Sequence, residues 1–212
     1  QAGSGVRLLG FEPADEMRAH AASNVRDLPS VEVRNGRFES IPLESDSVDY
    51  LYSLIAFHWA TDLEASVREL ARVLKPGGEM DLYFVGRDSG KNFIQRTSPI
   101  LMKHLGLGWL VKSAKIRKHL GRKDSEELFQ SVFPTDRLVV DESHEVHFDS
   151  LEGHWNWWQA RLEPHFIDMS PEKRKACDQE MLASLAELET DEGVPFDVHL
   201  IHVHLDGVSE SA

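Results

Sequence analysis

The amino-acid sequence predicts an α/β fold, because apolar runs of strand length alternate with helical patterns over its first 85 residues. Apolar runs at residues 6–12, 48–54 and 80–85 are typical of buried strands. Between the last two runs, apolar side chains recur at helical spacing over residues 63–74. Strands joined by a helix pair in parallel through right-handed crossovers, so we expect a mostly parallel sheet.

The helix over residues 63–74 has the clearest boundaries in the sequence. Thr61 and Glu64 have the spacing of a capping box, which predicts that Thr61 is the N-cap residue. The helix is expected to end at Lys75-Pro76-Gly77-Gly78, because proline and glycine interrupt helical hydrogen bonding.

The other elements follow from the same two periodicities, with residues 86–134 helical but irregular. They are a helix over 14–22, a strand over 31–34, a strand over 138–148, helices over 151–162 and 171–188, and a final strand over 194–205.

Length and composition are those of one globular domain, alone or with an appendage. The net charge of −13 over 212 residues argues against general nucleic-acid binding. No apolar run approaches the ~18 residues of a membrane-spanning helix. The first ten residues lack the pattern of a secretory signal, and Cys177 is the single cysteine. We therefore expect a protein of the reducing cytoplasm without an internal disulfide.

The charge is unevenly distributed. Residues 87–123 contain ten Lys or Arg and one acid, whereas the remainder carries a charge of −22. Within this basic segment, residues 99–123 couple apolar side chains to a cluster of cations, which favours an acidic or amphipathic acceptor or an anionic membrane surface. The alternative is a solvated helix face that balances the acidic body. The cluster comprises Lys112, Lys115, Arg117, Lys118, Arg122 and Lys123.

The predicted carboxyl ends of the strands select the candidate binding residues, because ligands of open α/β sheets lie beyond those ends. The rule selects Glu12-Pro13, the turn at residues 37–39 and the segment 53–59. From spacing alone, Glu12 is either a binding residue or a solvated acid at a strand end.

Three segments carry a resemblance to a known family: GFEPADEM, GRFESIPLESDSVDYLYSLIAFHW and ASVRELARVLKPGGEMDLYF. Together they resemble the class I S-adenosylmethionine-dependent methyltransferases, in the small-molecule branch with the malonyl-carrier-protein and trans-aconitate methyltransferases. Residues 148–205 are also similar to that branch. The resemblance implies a Rossmann-like, mostly parallel sheet with helices on both faces and an antiparallel C-terminal strand. It further implies a core over 1–86 that binds S-adenosylmethionine, a basic helical lid or insertion over 87–137, and closing elements over 138–212.

The resemblance also assigns roles to individual residues. It implies that Glu12 binds the cofactor ribose, that Met17, Phe38 and Glu39 line the adenine pocket, and that Ser53 and Leu54 approach the methionine portion. His58 and Trp59 then lie at the substrate entrance, with Trp109 and Trp155 as further substrate contacts. Gly3 and Gly5 resemble the end of a glycine-rich cofactor turn, and Pro13 follows the ribose-binding acid. Arg37 departs from the family, which usually has an acid at that place.

The implied reaction is methyl transfer to a small-molecule or carrier-bound acidic acceptor. The bound sulfonium is already activated, so side chains mainly align the reactants and exclude water. His58 is the candidate general base, or it orients a substrate carboxylate; the alternative is that it only packs at the strand end. A non-catalytic, methyltransferase-like binding module is the alternative function.

The histidines and tryptophans of the second half have simpler interpretations. His144, His147, His199, His202 and His204 lack the spacing of a zinc site, so we expect solvated histidines on strand faces and no metal. Trp155 and Trp158 are expected to form one aromatic surface, which either packs beneath the sheet or walls the substrate.

Overall fold

A computed structural model describes residues 5–106, 119–162, 166 and 169–207, with the backbone alone for residues 160–162. Gly3, Trp109 and the basic residues 112–118 lie outside the described residues, so the predictions made for them stay predictions. None of the described helices is long and apolar enough to span a membrane.

The predicted α/β fold class is confirmed, and most predicted elements lie within a few residues of their observed bounds. In chain order the elements are β1 (Leu8–Phe11), α1 (Asp15–Val25), β2 (Val31–Arg34), β3 (Val48–Leu54), a 3₁₀ helix (Phe57–Trp59), α2 (Leu63–Val73), β4 (Leu74–Val85), α3 (Lys91–Leu105), α4 (Arg122–Gln130), β5 (Leu138–Asp149), α5 (Leu151–Leu162), α6 (Pro171–Ala186) and β6 (Val194–Leu205).

The strands form two sheets. β1 and β2 pair in parallel, and a four-stranded sheet has the order β3–β4–β6–β5. β3 pairs with β4 in parallel, as the helical crossover through α2 predicts. The carboxylate of Asp81 contacts His204, whereas the amide of Gly86 donates to the carbonyl of His199. Residue numbers therefore run in opposite directions along β4 and β6, which makes β6 the antiparallel C-terminal strand.

The chain divides into two compact units. The first comprises the described residues of 1–83, 124–140 and 203–212, and the second those of 84–123 and 141–202. In the first unit, α2 buries one apolar face, and Phe57, Phe129, Met80 and Leu82 are also buried.

The core of the second unit brings α3, α5 and α6 together. Phe93 of α3 and Trp158 of α5 stack with ring centroids 3.5 Å apart. The indole N–H of Trp158 donates to Nε2 of His154, one helical turn earlier, so this buried polar group is satisfied. The single cysteine, Cys177, is buried in the same cluster, and burial raises the pKa of its thiol to about 11.

The start of α2 differs from the prediction. Asp62, not Thr61, is the N-cap residue, and its carboxylate accepts from the amide of Ala65 at 2.9 Å. Thr61 is instead occupied with a carboxylate from another part of the chain, Glu39. The predicted end of the helix is correct, because Val73 is its last residue and Leu74 is already extended.

One face of the sheet in the first unit carries a charged network. Nδ1 of His204 lies 2.9 Å from Asp81 and Nε2 lies 2.9 Å from Asp206, while the hydroxyl of Tyr50 donates to the second oxygen of Asp81. Burial alone would lower the pKa of His204. The hydrogen bonds and negative charges of Asp206 and Asp81 outweigh that effect and raise its pKa above the ordinary value.

This network predicts a pH-dependent contribution to stability. Because the folded pKa of His204 is raised, its stabilising effect is complete below about pH 6.5 and is lost as the pH rises through the folded pKa. We expect His204→Gln to lower the free energy of unfolding by about 1 kcal/mol at pH 6, measured in urea. The difference from wild type should shrink towards pH 9.

His20→Gln is the matched control, since His20 is an exposed histidine of α1. Its unfolding curve should follow wild type at every pH. Parallel pH profiles for wild type and His204→Gln would contradict a charged His204.

Candidate functional site

Glu12 lies at the carboxyl end of β1, as predicted, and its side chain is half-buried. Its Oε1 accepts from the amide of Ala14 at 2.8 Å, and its own amide donates to the carbonyl of Arg34 in β2. Arg18 of α1 donates to the carbonyl oxygens of Glu12 and Pro13 at 3.1 and 3.3 Å. These bonds hold the turn between β1 and α1 in one conformation.

The predicted cofactor residues that flank β1 on either side, apart from Glu12, are exposed. Met17 is 61% exposed on α1, and Pro13 is exposed beside Glu12. Gly5 has a φ of +113°, a conformation open to glycine but rarely to other residues. Met17 therefore offers an apolar, accessible side chain one turn into the helix that follows Glu12.

A close approach at Gly36 connects the end of β1 to the next predicted segment. A Cβ atom at Gly36 would lie 2.8 Å from Cδ1 of Phe11 and 3.0 Å from Cδ of Pro42. Phe11 immediately precedes Glu12, and Gly36 stands two residues before Phe38. The absence of a side chain at Gly36 therefore lets the β1 end and the 37–39 turn come together.

The 37–39 turn is fastened to the segment that carries His58 and Trp59. The ring of Phe38 meets Phe57 edge to face, with centroids 5.3 Å apart. Oε1 of Glu39 accepts from the amide and the hydroxyl of Thr61 at 2.5 and 2.8 Å, and from the amide of Asp62 at 3.2 Å. Glu39 thus binds the amides that lead into α2 instead of leaving Thr61 to cap the helix.

Hydrogen bonds change the ionisation of Glu39. Burial on its own would raise the pKa of the carboxyl, but the hydroxyl of Thr61 and the backbone amides of Glu39, Thr61 and Asp62 stabilise the charged form. The net effect is a pKa below the ordinary value of Glu. A negative charge at this place is also favoured by the positive end of the α2 dipole.

The segment 53–59 leaves β3 through a turn. Ser53 is half-buried, Leu54 is 64% exposed, and Ile55 has a φ of +53°. The 3₁₀ helix that follows places the Phe57 ring in the core, where it also meets Phe129 at 5.4 Å.

His58 and Trp59 remain at the surface side of this anchor. Their ring centroids are 5.0 Å apart at an interplanar angle of 40°, His58 is half-buried and Trp59 is 63% exposed. The structure thus brings Phe38, Glu39 and the His58-Trp59 pair into one neighbourhood.

Trp155, which was predicted as a substrate contact, lies in the second unit. There it packs against the cluster formed by Phe93, Trp158 and Met181, and the packing alternative accounts for this position. A role for Trp155 in substrate binding stays a prediction.

His199 is not the solvated strand-face residue that the sequence predicted. It is 1% exposed; its Nδ1 accepts from the amide of Asp88 at 3.1 Å, and its ring stacks on that of His144 at 4.4 Å. Since Nδ1 is an acceptor, the ring proton is on Nε2, which donates to Glu142 at 3.1 Å.

The same hydrogen bonds bear on metal binding by this cluster. Glu142, His144 and His199 offer ligand atoms within 4.8 Å of one another. However, Nε2 of His199 carries the proton that a metal would have to replace. Hydrogen bonding is one account of the arrangement, and the expectation that no metal binds here stays a prediction.

The chain is similar to known proteins in sequence and in fold. A methyltransferase domain family matches residues 1–81. An uncharacterized methyltransferase of Schizosaccharomyces pombe is 28% identical over 172 residues, which cover 69% of this chain and 68% of that protein. The first 81 residues therefore match a methyltransferase domain, and the S. pombe protein similar to a longer stretch of the chain is also described as a methyltransferase.

Two further similarities are to a methyltransferase with a named acceptor and to a solved structure. Malonyl-[acyl-carrier protein] O-methyltransferase 1 of Coxiella burnetii is 41% identical over 56 residues, which cover 26% of this chain and 20% of that protein. The YcgJ protein of Bacillus subtilis superposes with a TM-score of 0.59 over 96% of this chain and 83% of that one. At 17% identity this likeness shows the fold alone. The chain spans about two thirds of the yeast relative's length and one fifth of the Coxiella enzyme's.

The cofactor of the family, S-adenosylmethionine, fits the chemistry of the residues that the structure describes. Each oxygen of the Glu12 carboxylate has two acceptor lone pairs, so the bond from Ala14 leaves capacity for the two hydroxyls of a ribose. The exposed thioether of Met17 and the partly exposed ring of Phe38 are apolar surfaces suited to a purine. These three residues are the candidate contacts to the nucleoside.

Three residues of this neighbourhood escaped the sequence analysis: Gly36, Ile55 and Asp62. Gly36 stands next to Arg37 in a segment already selected as a turn, and a glycine there is a signal of close packing. Aspartate is itself a common N-cap residue, but the capping-box spacing favours Thr61. No sequence signal marks the left-handed conformation of an isoleucine.

The hydrogen bonds from Thr61 and Asp62 to Glu39 predict a contribution to stability that is lost in acid. A lowered pKa means that the stabilisation is complete above about pH 4.5 and is lost as the pH falls through the folded pKa. We expect Glu39→Gln to lower the free energy of unfolding by about 1–2 kcal/mol at pH 7, measured in urea, with a smaller difference at pH 3.

Glu64→Gln is the matched control, because Glu64 is an exposed acid in the first turn of the same helix. It should cost only a few tenths of a kcal/mol through the helix dipole. Equal losses in the two variants would show that Glu39 acts through charge alone and not through its hydrogen bonds.

Because Gly36 lies so close to Phe11, a methyl group added at this position should destabilise the fold. Gly36→Ala should lower the free energy of unfolding by about 1–3 kcal/mol, because the rigid ring of Phe11 must move. Gly10→Ala is the control, since its Cβ would lie 3.8 Å from the nearest atom of Val33, an ordinary contact. Thermal unfolding of the two variants side by side gives the comparison, and a Gly36→Ala as stable as Gly10→Ala would refute the tight contact.

Proposed function

We propose that this methyltransferase transfers the methyl group of S-adenosylmethionine to a small-molecule or carrier-bound acidic acceptor. The observation that carries the proposal is the neighbourhood at the carboxyl ends of the strands. A carboxylate held at the end of β1 and a histidine-tryptophan pair anchored after β3 belong to the same unit. Ligands of open α/β folds bind beyond the carboxyl ends of the strands.

The cofactor, when bound, supplies an already activated methyl group. Glu12 would accept hydrogen bonds from the ribose hydroxyls, and the rigid turn around it removes part of the ordering cost of binding. Ser53 and Leu54 would approach the methionine portion from the end of β3. Transfer then requires that the acceptor is aligned with the methyl group and that water is excluded from the exposed side chains of Leu54 and Trp59.

His58 is the candidate catalytic residue. It follows Phe57, whose ring is completely buried against Phe38 and Phe129, so its backbone is fixed. An imidazole can take a proton from an acceptor as methyl transfer proceeds, or it can donate a hydrogen bond to a substrate carboxylate. In either role the adjacent Trp59 would provide an apolar wall for the acceptor.

The acidic character of the acceptor is supported by similarity and by charge. The Coxiella burnetii relative acts on a malonyl group attached to a carrier protein. In this chain the turn at 37–39 has an exposed arginine, Arg37, beside Phe38. We further infer that the basic segment 99–123 receives the acidic partner or an anionic membrane surface, and that the protein acts in the cytoplasm.

A non-catalytic binding module is the second candidate function, and one observation favours it. Arg37 stands where the family usually has an acid for the adenine amino group, and a guanidinium cannot accept that hydrogen bond. Cofactor binding by the chain itself decides between the two functions.

A thermal-shift titration with S-adenosylhomocysteine is the experiment that tests the proposal. A ligand that binds only the folded state stabilises it by about 2.7 kcal/mol at a hundred times its Kd, so a saturable rise in Tm is expected. Glu12→Gln should weaken the apparent affinity about tenfold, because a charged acceptor of ribose hydroxyls is lost. Glu16→Gln, an exposed acid of α1, should leave the affinity unchanged.

The two functions give opposite results in this titration. No shift at millimolar S-adenosylhomocysteine would refute the enzyme and leave the binding module. A shift that Glu12→Gln and Glu16→Gln reduce equally would refute the assignment of Glu12 to the ribose.

A further inference from the structure

Ile55 is the most unusual backbone position in the first unit. Among the described residues, Asp46 and Ile55 are the non-glycine residues with positive φ, at 51° and 53°. Asp46 lies in an exposed turn, and aspartate adopts this region comparatively often. A β-branched residue seldom does so, because its Cβ and branched side chain crowd the neighbouring backbone.

The strain at Ile55 is held from both sides. Before the turn, its amide donates to the carbonyl of Tyr83 on β4 at 2.7 Å. After the turn, the completely buried ring of Phe57 is fixed by Phe38 and Phe129. A strained conformation persists only where the surrounding structure over-determines it, and these contacts supply that determination.

The position of Ile55 separates two sets of candidate site residues. Ser53 and Leu54 end β3 before it, and the 3₁₀ helix with His58 and Trp59 follows it. An extended residue at 55 would continue the strand, whereas the left-handed residue turns the chain into the 3₁₀ helix. Glycine would adopt a positive φ here without steric cost, as it does elsewhere in the chain at Gly77 and Gly90.

The use of isoleucine in place of glycine restricts the turn. A glycine samples a wide range of φ and ψ, so a turn made by glycine leaves the following residues free to move. A β-branched residue has few accessible conformations, and once the neighbouring contacts fix it in the left-handed region it has little freedom within that region. The cost is folding stability, and the gain is a fixed direction for the next four residues.

We propose that Ile55 is a positioning residue of the methyltransferase site, whose strained turn fixes the His58-Trp59 pair relative to the end of β3. The inference rests on the proposed function, because that proposal assigns the His58-Trp59 pair to the acceptor. The turn itself can be tested without an acceptor.

The test compares four variants with wild type. Ile55→Gly and Ile55→Ala both remove the side chain, but only glycine relieves the left-handed strain. The folding equilibrium constant of Ile55→Gly in urea should therefore exceed that of Ile55→Ala about fivefold or more. Ile55→Asn tolerates positive φ and keeps a side chain, and Asp46→Gly relieves positive φ in the turn at the opposite end of β3.

The positioning role is read from amide hydrogen exchange and from ligand affinity. The amides of Trp59 and Ala60, which donate to the carbonyls of Ala56 and Phe57, should exchange several-fold faster in Ile55→Gly than in wild type. Ile55→Asn should restore slow exchange, and Asp46→Gly should leave it unchanged. The Kd for S-adenosylhomocysteine, measured by calorimetry, should be three- to tenfold higher in Ile55→Gly than in wild type and higher than in Ile55→Ala, although Ile55→Gly is the more stable of the two variants.

Greater stability combined with weaker binding is a result that a purely structural residue would not give. The proposal is overturned if Ile55→Gly is no more stable than Ile55→Ala, or if exchange at Trp59 and Ala60 is unchanged in Ile55→Gly. Wild type that fails to bind S-adenosylhomocysteine would overturn the proposed function, and the exchange and stability measurements would still decide the role of the turn. Unchanged affinity in Ile55→Gly, with wild type binding normally, would likewise overturn the positioning role.

Discussion

The burial of the Phe57 ring is the interaction on which the candidate site depends. The ring contacts Phe38 from the turn after β2 and Phe129 from α4, so it joins three segments that are distant in sequence. Aromatic side chains of this size contribute both buried area and a preferred edge-on geometry. Because Phe57 is immediately followed by His58 and Trp59, the same contact that closes the core also fixes the backbone of this candidate pair.

Most elements could be predicted from the sequence, because their signals are local. β2, β3 and β6 have the predicted bounds, and α5 begins and ends as its apolar pattern indicates. α2 ends within one residue of its predicted bound, but β4 begins at Leu74, includes the proline-glycine segment and starts six residues before the predicted strand. The family resemblance, in turn, depended on short segments with fixed spacing, and the methyltransferase domain match confirms it over residues 1–81.

The interpretations that failed depended on partners far away in the sequence. Thr61 has the spacing of an N-cap, but Glu39 lies 22 positions earlier and captures its amide and hydroxyl. His199 lies on a strand where alternate residues face opposite sides, and periodicity cannot tell which side is covered. The turn from Gly86 to Gly90 covers that side, since the amide of Asp88 donates to the His199 ring and a Cβ at Gly86 would lie 2.4 Å from it.

The order of the larger sheet has a consequence for the behaviour of the protein at high concentration. β5 is an outer strand of that sheet, and its last nine residues are exposed. An exposed outer strand of this length is a template for pairing with another chain. Asp141, Glu142, Glu145 and Asp149 place four acids along it and no Lys or Arg, so two such strands repel each other at neutral pH. The same acidic composition that argues against nucleic-acid binding therefore protects this strand from self-association, and that protection weakens when the carboxylates are protonated.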